Sequence, residues 1–168
     1  MFLIGEKVVY KANSICCVEA IESPSFVSDK QKKYYKLRVL YSIGNEVVYV
    51  PVENVSALRK VVTKQEAEKC FEFLKNIQIC EAKVKQPAVI AEHFQTILKN
   101  GDMKSSLTVL KELLVRKNRL EKEGKNIKQI EQQYLTLVHK AVVNELSCVL
   151  EIKSEDVENR IMQTLCIE

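Results

Sequence analysis

The stretch "VVYVPVENVSALRKVVTKQEAEKCFEFLKN", Val47 to Asn76, decides the fold, because its hydrophobic period changes partway along. Val47 to Val52 is a β-branched run that reads as a strand. Pro51 within it has no N–H to give to a ladder, so the strand either ends there or lies at a sheet edge. After Arg59 the period becomes 3.6, and Ala67, Cys70, Phe71 and Leu74 fall on one side of a helix. Thr63, with Glu66 three residues later, has the spacing of a capping box at that helix start. The switch predicts an α+β chain, with a β domain over residues 1–60 and a helical domain over 61–168.

Towards the N-terminus, "EKVVYK", "SICCVEAIES" and "YYKLRVLY" read as further strands. The second is expected to alternate at period two through Ile15, Cys17 and either Glu19 or Ile21. "SPSFVSDKQKK" reads as a loop or long hairpin tip, and Gly44-Asn45 as the turn joining the third and fourth strands. Four or five short strands with no helix between them predict a small antiparallel barrel.

Towards the C-terminus, "QICEAKVKQ" interrupts the helical period, and Pro87 restarts it at the position where a missing N–H costs nothing. Ile90, Phe94, Ile97 and Leu98 form the stripe of that helix; Gly101 supplies a left-handed cap and Asp102 caps the next one. Met103, Leu107, Leu110 and Leu114 mark an apolar seam that runs out around Gly124. The longest helix is expected over 127–150, with Ile127, Ile130, Tyr134, Val138, Ala141, Cys148 and Val149 inward, and Ser154 caps a last helix through Leu165. Glu145 projects into the middle of that apolar stripe. A buried carboxylate needs a partner, and backbone amides at a neighbouring helix start suit it better than a catalytic role.

Composition narrows the function. Of 168 residues, 26 are Lys or Arg and 22 Asp or Glu, a net +4 that permits nucleic-acid or acidic partners without requiring them. No apolar run is long enough to span a bilayer, and the N-terminus lacks the pattern of a secretory signal, so no membrane contact and a cytoplasmic location are expected. The six cysteines include no Cys-x-x-Cys pair, and neither His93 nor His139 has a cysteine beside it, so neither a metal nor a cofactor is expected. Nor do four glycines supply a phosphate-cradling loop, or the histidines a general-base constellation. No small-molecule substrate and no enzyme activity follow from these residues.

The ordered words "FLIGEKVVY", "CCVEAIE", "YYKLRVL", "VYVPVENV", "LRKV", "ILKNGD", "VLKELLVRK" and "NELSCVLE" resemble, in register from Phe2 to about Leu150, the CarD/CdnL family of bacterial transcription regulators. The resemblance implies a Tudor-like β domain that docks on the RNA polymerase β subunit and a helical domain that contacts promoter DNA and stabilises the opened promoter. It makes the edge strand Val47, Val48, Tyr49, Val50, Pro51 the candidate polymerase contact, with main-chain pairing giving affinity and side chains such as Val48 and Val50 giving specificity. Two family features are replaced: the chain has no tryptophan, so Pro87 stands where the family carries a minor-groove wedge, and "KANSIC" replaces a glycine-rich opening. Val89 and Ile90 fall where arginines would follow the wedge. DNA contact is therefore expected to be weak and mainly to phosphates.

The candidate phosphate ligands are Lys83, Lys85, Arg116, Arg119, Lys122, Lys125 and Lys128. Each also reads as an ordinary solvated residue, and Glu112 and Glu123 are placed to pair with Arg116 and Arg119 at i,i+4 spacing. The alternative function is a protein-interaction adaptor that adds a partner's strand at the β domain and binds no DNA.

Overall fold

Residues 1–11, 14–42, 44–79 and 86–167 are described by the computed structural model, and they divide into two units, Met1–Val61 and Val62–Glu168. The first unit holds five strands: β1 (Lys7–Tyr10), β2 (Ser14–Glu22), β3 (Tyr34–Val39), β4 (Val47–Pro51) and β5 (Leu58–Lys60). They form one sheet in the order β4-β3-β2-β1-β5, every described pairing antiparallel. Its core is Phe2, Val8, Cys16, Val18, Tyr35, Leu37, Val50 and Leu58. The Tyr35 hydroxyl accepts the Phe2 N–H at 3.1 Å, and the two rings meet edge to face, which satisfies the one polar atom of a large buried side chain.

Two expectations change here. The sheet is open among the described residues, since β4 and β5 stand at opposite ends of the strand order and do not pair. In β2 the core face carries Cys16 and Val18, while Cys17 is only half-buried. The register slips between Val18 and Ala20, which oppose Leu37 and Lys36, so Glu19 is the extra residue of a bulge. Glu19 is turned onto Arg38, at 2.7 Å, and Lys36, at 3.8 Å.

The second unit is helical: α1 (Lys64–Asn76), α2 (Pro87–Leu98), α3 (Met103–Lys122), α4 (Gln129–Leu150) and α5 (Ser154–Leu165). The start of α1 is the capping box foreseen. Thr63 Oγ1 accepts the Glu66 N–H at 3.2 Å, and Glu66 Oε2 accepts the Thr63 N–H at 2.8 Å. That amide holds the Glu66 carboxyl below the usual carboxylate range. Ala67, Cys70, Phe71 and Leu74 are buried, as the period required. At the other end of α1, the Lys111 ammonium of α3 donates to the Lys75 and Ile77 carbonyls, both at 2.9 Å, where a helix has orphan acceptors. The C-cap of α2 is Lys99 rather than Gly101, which adopts φ +63 two residues further on; Asp102 accepts the Ser105 N–H at 2.7 Å and caps α3, so four residues separate the two helices.

Phases are less faithful in the long helices. In α3 the buried side includes Leu113, and Leu114 only packs against its margin. The helix expected from Ile127 begins at Gln129, and its buried side adds Leu135, Val142, Val143 and Leu146, whereas Ile127, Ile130, Tyr134 and Val149 are marginal. Ser154 is the first residue of α5 rather than its cap, which is Lys153.

Three buried carboxylates join the helices. Glu145 Oε1 of α4 accepts the Val62 N–H at 3.0 Å, immediately before the α1 cap, which is the backbone-amide role expected of it. Glu112 of α3 faces His93 Nε2 of α2 at 3.1 and 3.2 Å. Glu131 accepts the Lys128 N–H at the start of α4 and takes Arg116 Nε of α3 at 2.7 Å, at an angle that makes the contact ionic rather than a well-aligned hydrogen bond. The expected Glu112–Arg116 pair is therefore replaced by two pairs between helices.

Burial of these carboxylates sets measurable costs. Glu145→Ala leaves the Val62 amide without that acceptor and should lower unfolding free energy by about 1–3 kcal/mol in a denaturant titration. Arg116→Met should destabilise more than the double variant Arg116→Met/Glu131→Leu, because the single change strands a buried carboxylate. An equal cost for both would show the pair to be irrelevant to α3–α4 packing.

Burial pushes the thiols of Cys16 and Cys70 up to about 11, whereas Cys166 is exposed. At pH 8 only about a thousandth of each buried thiol is thiolate, and that fraction rises towards pH 11. Residue-resolved alkylation of the native protein should therefore modify Cys166 well before either.

Candidate functional site

The strand β4 is a free edge in this unit, and its hydrogen-bond parity defines what it offers. The Val39 N–H donates to the Glu46 carbonyl and the Val52 N–H to the Lys33 carbonyl, at 2.9 and 3.0 Å. Between these two pairs the register matches Leu37 with Val48 and Tyr35 with Val50. Antiparallel pairing alternates, so Val48 and Val50 spend their backbone groups on β3, while those of Val47, Tyr49 and Pro51 face the open side. Pro51 thus sits where its missing N–H breaks no bond of the sheet.

The side chains follow the same parity with the opposite consequence for Val48 and Val50. Val50 is buried in the core and so is not presented to a partner, contrary to the specificity role expected of it, while Val48 is half-buried against the same core. The other face carries Val47, Tyr49 and Pro51, opposite Arg38, Lys36 and Tyr34. Val47 is 37% exposed. Tyr49 donates its hydroxyl to Glu22 Oε1 at 3.3 Å, and its ring meets that of Phe26 edge to face, 5.3 Å between centroids.

Phe26 is a residue that the sequence reading passed over. It lies in the β2–β3 connection and is 68% exposed, a large aromatic ring held beside an open strand edge. Its signal was a lone aromatic in a polar loop, "SPSFVSDKQKK", which no hydrophobic period accounts for.

The basic candidates of the helical unit are scattered in role. Lys83 and Lys85 lie outside the described residues. Arg116 has only 19% of its side chain exposed and is committed to Glu131, so it serves packing. Arg119 and Lys122 are exposed in the last turn of α3, where positive charge also complements the helix dipole. Lys125 lies 2.8 Å from Glu123 and Lys128 is half-buried at the start of α4. The cation at Lys125 holds the Glu123 carboxyl below its usual range. Across residues 62–168 there are 17 Lys and Arg against 16 Asp and Glu, while residues 1–61 hold 9 against 6. The net positive charge is thus concentrated in the β unit.

Among the described residues no cluster of His, Cys, Asp or Glu is placed to hold a metal ion, and no helix is long and apolar enough to cross a membrane. His93 has Glu112 as its partner, and His139 lies 3.8 Å from Glu158.

Comparison with known proteins agrees with the architecture. Residues 2–62 match the family model described as the CarD-like/TRCF RID domain. Over 164 residues, 95% of this chain and 99% of the other, the sequence is 23% identical to a Bacillus subtilis (strain 168) protein named "Putative transcription factor YdeB". The matched segment spans β1 to β5, open edge included, and the full-length relative also covers the helices. Residues 2–62 therefore resemble a domain of the CarD-like/TRCF RID kind, and over nearly its whole length the chain is similar to a protein named as a putative transcription factor, which together support a part in transcription regulation.

Proposed function

We propose that this protein binds the β subunit of RNA polymerase by strand addition at β4 and acts, without catalysis of its own, on promoter complexes in the cytoplasm. The observation that carries the reading is the parity of β4. Within a domain of the polymerase-interacting kind, Val47 and Tyr49 turn their backbone N–H and C=O groups, with the Pro51 carbonyl, to the open side. Main-chain pairing there supplies affinity, and the outward side chains of Val47 and Tyr49, with Phe26 beside them, supply selectivity.

DNA contact in this reading is secondary. Arg119, Lys122 and Lys125 at the α3–α4 corner supply attraction to phosphates, which is independent of sequence and falls with salt. The near balance of charge over residues 62–168 and the commitment of Arg116 to Glu131 favour a second reading, in which the helical unit serves another protein and the chain is an adaptor. Binding of labelled promoter duplex at two salt concentrations separates the two: an adaptor gives no complex at either.

Capture of the polymerase β subunit by the full-length protein tests the docking. Replacing both outward side chains, Val47→Lys/Tyr49→Lys, should weaken capture about tenfold or more while the protein stays folded. Val50→Asp, which buries a charge in the sheet core, should instead lower thermal stability. Undiminished capture by the outward double variant would exclude β4 as the contact.

A further inference from the structure

We infer that the β2–β3 loop and the aromatic pair beside β4 form a binding site for single-stranded nucleic acid, separate from any phosphate contact made by the helices. Lys30, Lys32 and Lys33 are exposed, fall within four residues, and form no ion pair among the described residues. Elsewhere many cations are occupied: Arg116 by Glu131, Lys117 by Glu121, Arg160 by Glu68, Lys36 and Arg38 by Glu19. The loop therefore carries three cations without an ion pair among the described residues, and stays net positive with Asp29 counted, in the more basic unit.

Its local acids are already engaged. The Asp29 carboxylate accepts the Gln31 N–H at 3.0 Å, and Glu22 accepts the Tyr49 hydroxyl. Lys33 is tied to the end of β4 by its carbonyl, which accepts the Val52 N–H, so the loop's basic end is held beside the outward face of Tyr34 and Tyr49. Phe26 stands on Tyr49 with most of its ring in solvent.

Ammonium groups along a backbone track, next to an uncovered aromatic face, are what an unpaired strand needs: cations for its phosphates and a ring on which a base stacks. A duplex has its base faces already stacked and cannot use Phe26 in this way. The lysines would be engaged whether the strand is DNA or RNA. Because Tyr49 also faces the β4 edge, a bound strand and a polymerase segment would compete for this face.

The test is fluorescence anisotropy of the full-length protein with a labelled oligothymidylate, across a salt series. With three phosphates neutralised, the logarithm of affinity should fall against that of salt with a slope of about −2. The combined variant Lys30→Gln/Lys32→Gln/Lys33→Gln should flatten that slope towards zero. Phe26→Ala should weaken binding about fivefold or more and leave the slope unchanged, because stacking releases no counterions. Lys122→Gln/Lys125→Gln, at the helical corner, should weaken single-strand binding less than the loop variant does, and a duplex of equal length should bind more weakly.

Absence of a low-salt complex would overturn the inference. So would a loss caused by the helical variant rather than the loop variant, or duplex binding as tight as single-strand binding with Phe26→Ala silent. The loop variant should still capture polymerase, so failure here and failure of strand addition at β4 are told apart.

Discussion

The helical unit is organised around a carboxylate that has been taken out of water. Glu145 lies in the middle of α4, where an apolar residue would be the default, and its Oε1 is 3.0 Å from the Val62 N–H. An ionised carboxylate costs several kcal/mol to bury unless it is met by donors, so the chain must bring a backbone amide to that point. That requirement fixes where α1 begins relative to α4, and the capping box at Thr63 and Glu66 then sets its direction. Glu112 with His93 and Glu131 with Arg116 repeat the device between α2 and α3 and between α3 and α4. Leucine packing alone would hold these helices together but would tolerate sliding along the seams; buried polar contacts between fixed positions do not.

The β unit is constrained differently. A five-stranded sheet that does not close leaves β4 at one end, and open edges invite unwanted pairing unless they are short, bent or capped by proline. Here β4 has five residues and closes with Pro51 on its open side. These features limit promiscuous addition while leaving a short ladder available, which fits a reversible contact better than a permanent one. The same parity that exposes the backbone of Val47 and Tyr49 puts their side chains on the solvent face, so main-chain and side-chain contributions to docking come from the same residues.

How much of this was legible depended on the range of the interaction. The Thr63–Glu66 box, the Asp102 cap and the edge role of Pro51 are local, and spacing along the chain was enough to read them. Glu145 was visible as an anomaly, since a single carboxylate in an apolar stripe demands a donor. Glu112 and Glu131 were hidden because each fitted a plausible local pair: Glu112 lies four residues before Arg116, and Glu131 opens a helix. Their true partners are 19 and 15 positions away. Phase was lost wherever hydrophobic residues surround the element. In "VVYV" both faces are apolar, so alternation could not say which one is buried, and Val48 and Val50 were assigned to the partner instead of the core. In α4 the apolar residues run nearly all round, and in β2 the bulge at Glu19 breaks the period itself.

Charge placement is the remaining step. Overall net charge says little about where a polyanion would bind, because what matters is how many cations remain after internal pairing. Most of the helical unit's cations with described partners face carboxylates or helix carbonyls, and its formal balance is nearly neutral. The β2–β3 loop reverses this, with three lysines whose neighbours are backbone groups and already engaged acids. An arrangement of that kind is unfavourable by self-repulsion, and binding a strand of phosphates would relieve it. With Arg116 locked in packing, Lys30, Lys32 and Lys33 of the β unit are a run of exposed cations with no ion pair among the described residues. If both the polymerase and an unpaired strand are engaged from that side, the helical unit is released from the requirement to be basic, which matches its composition.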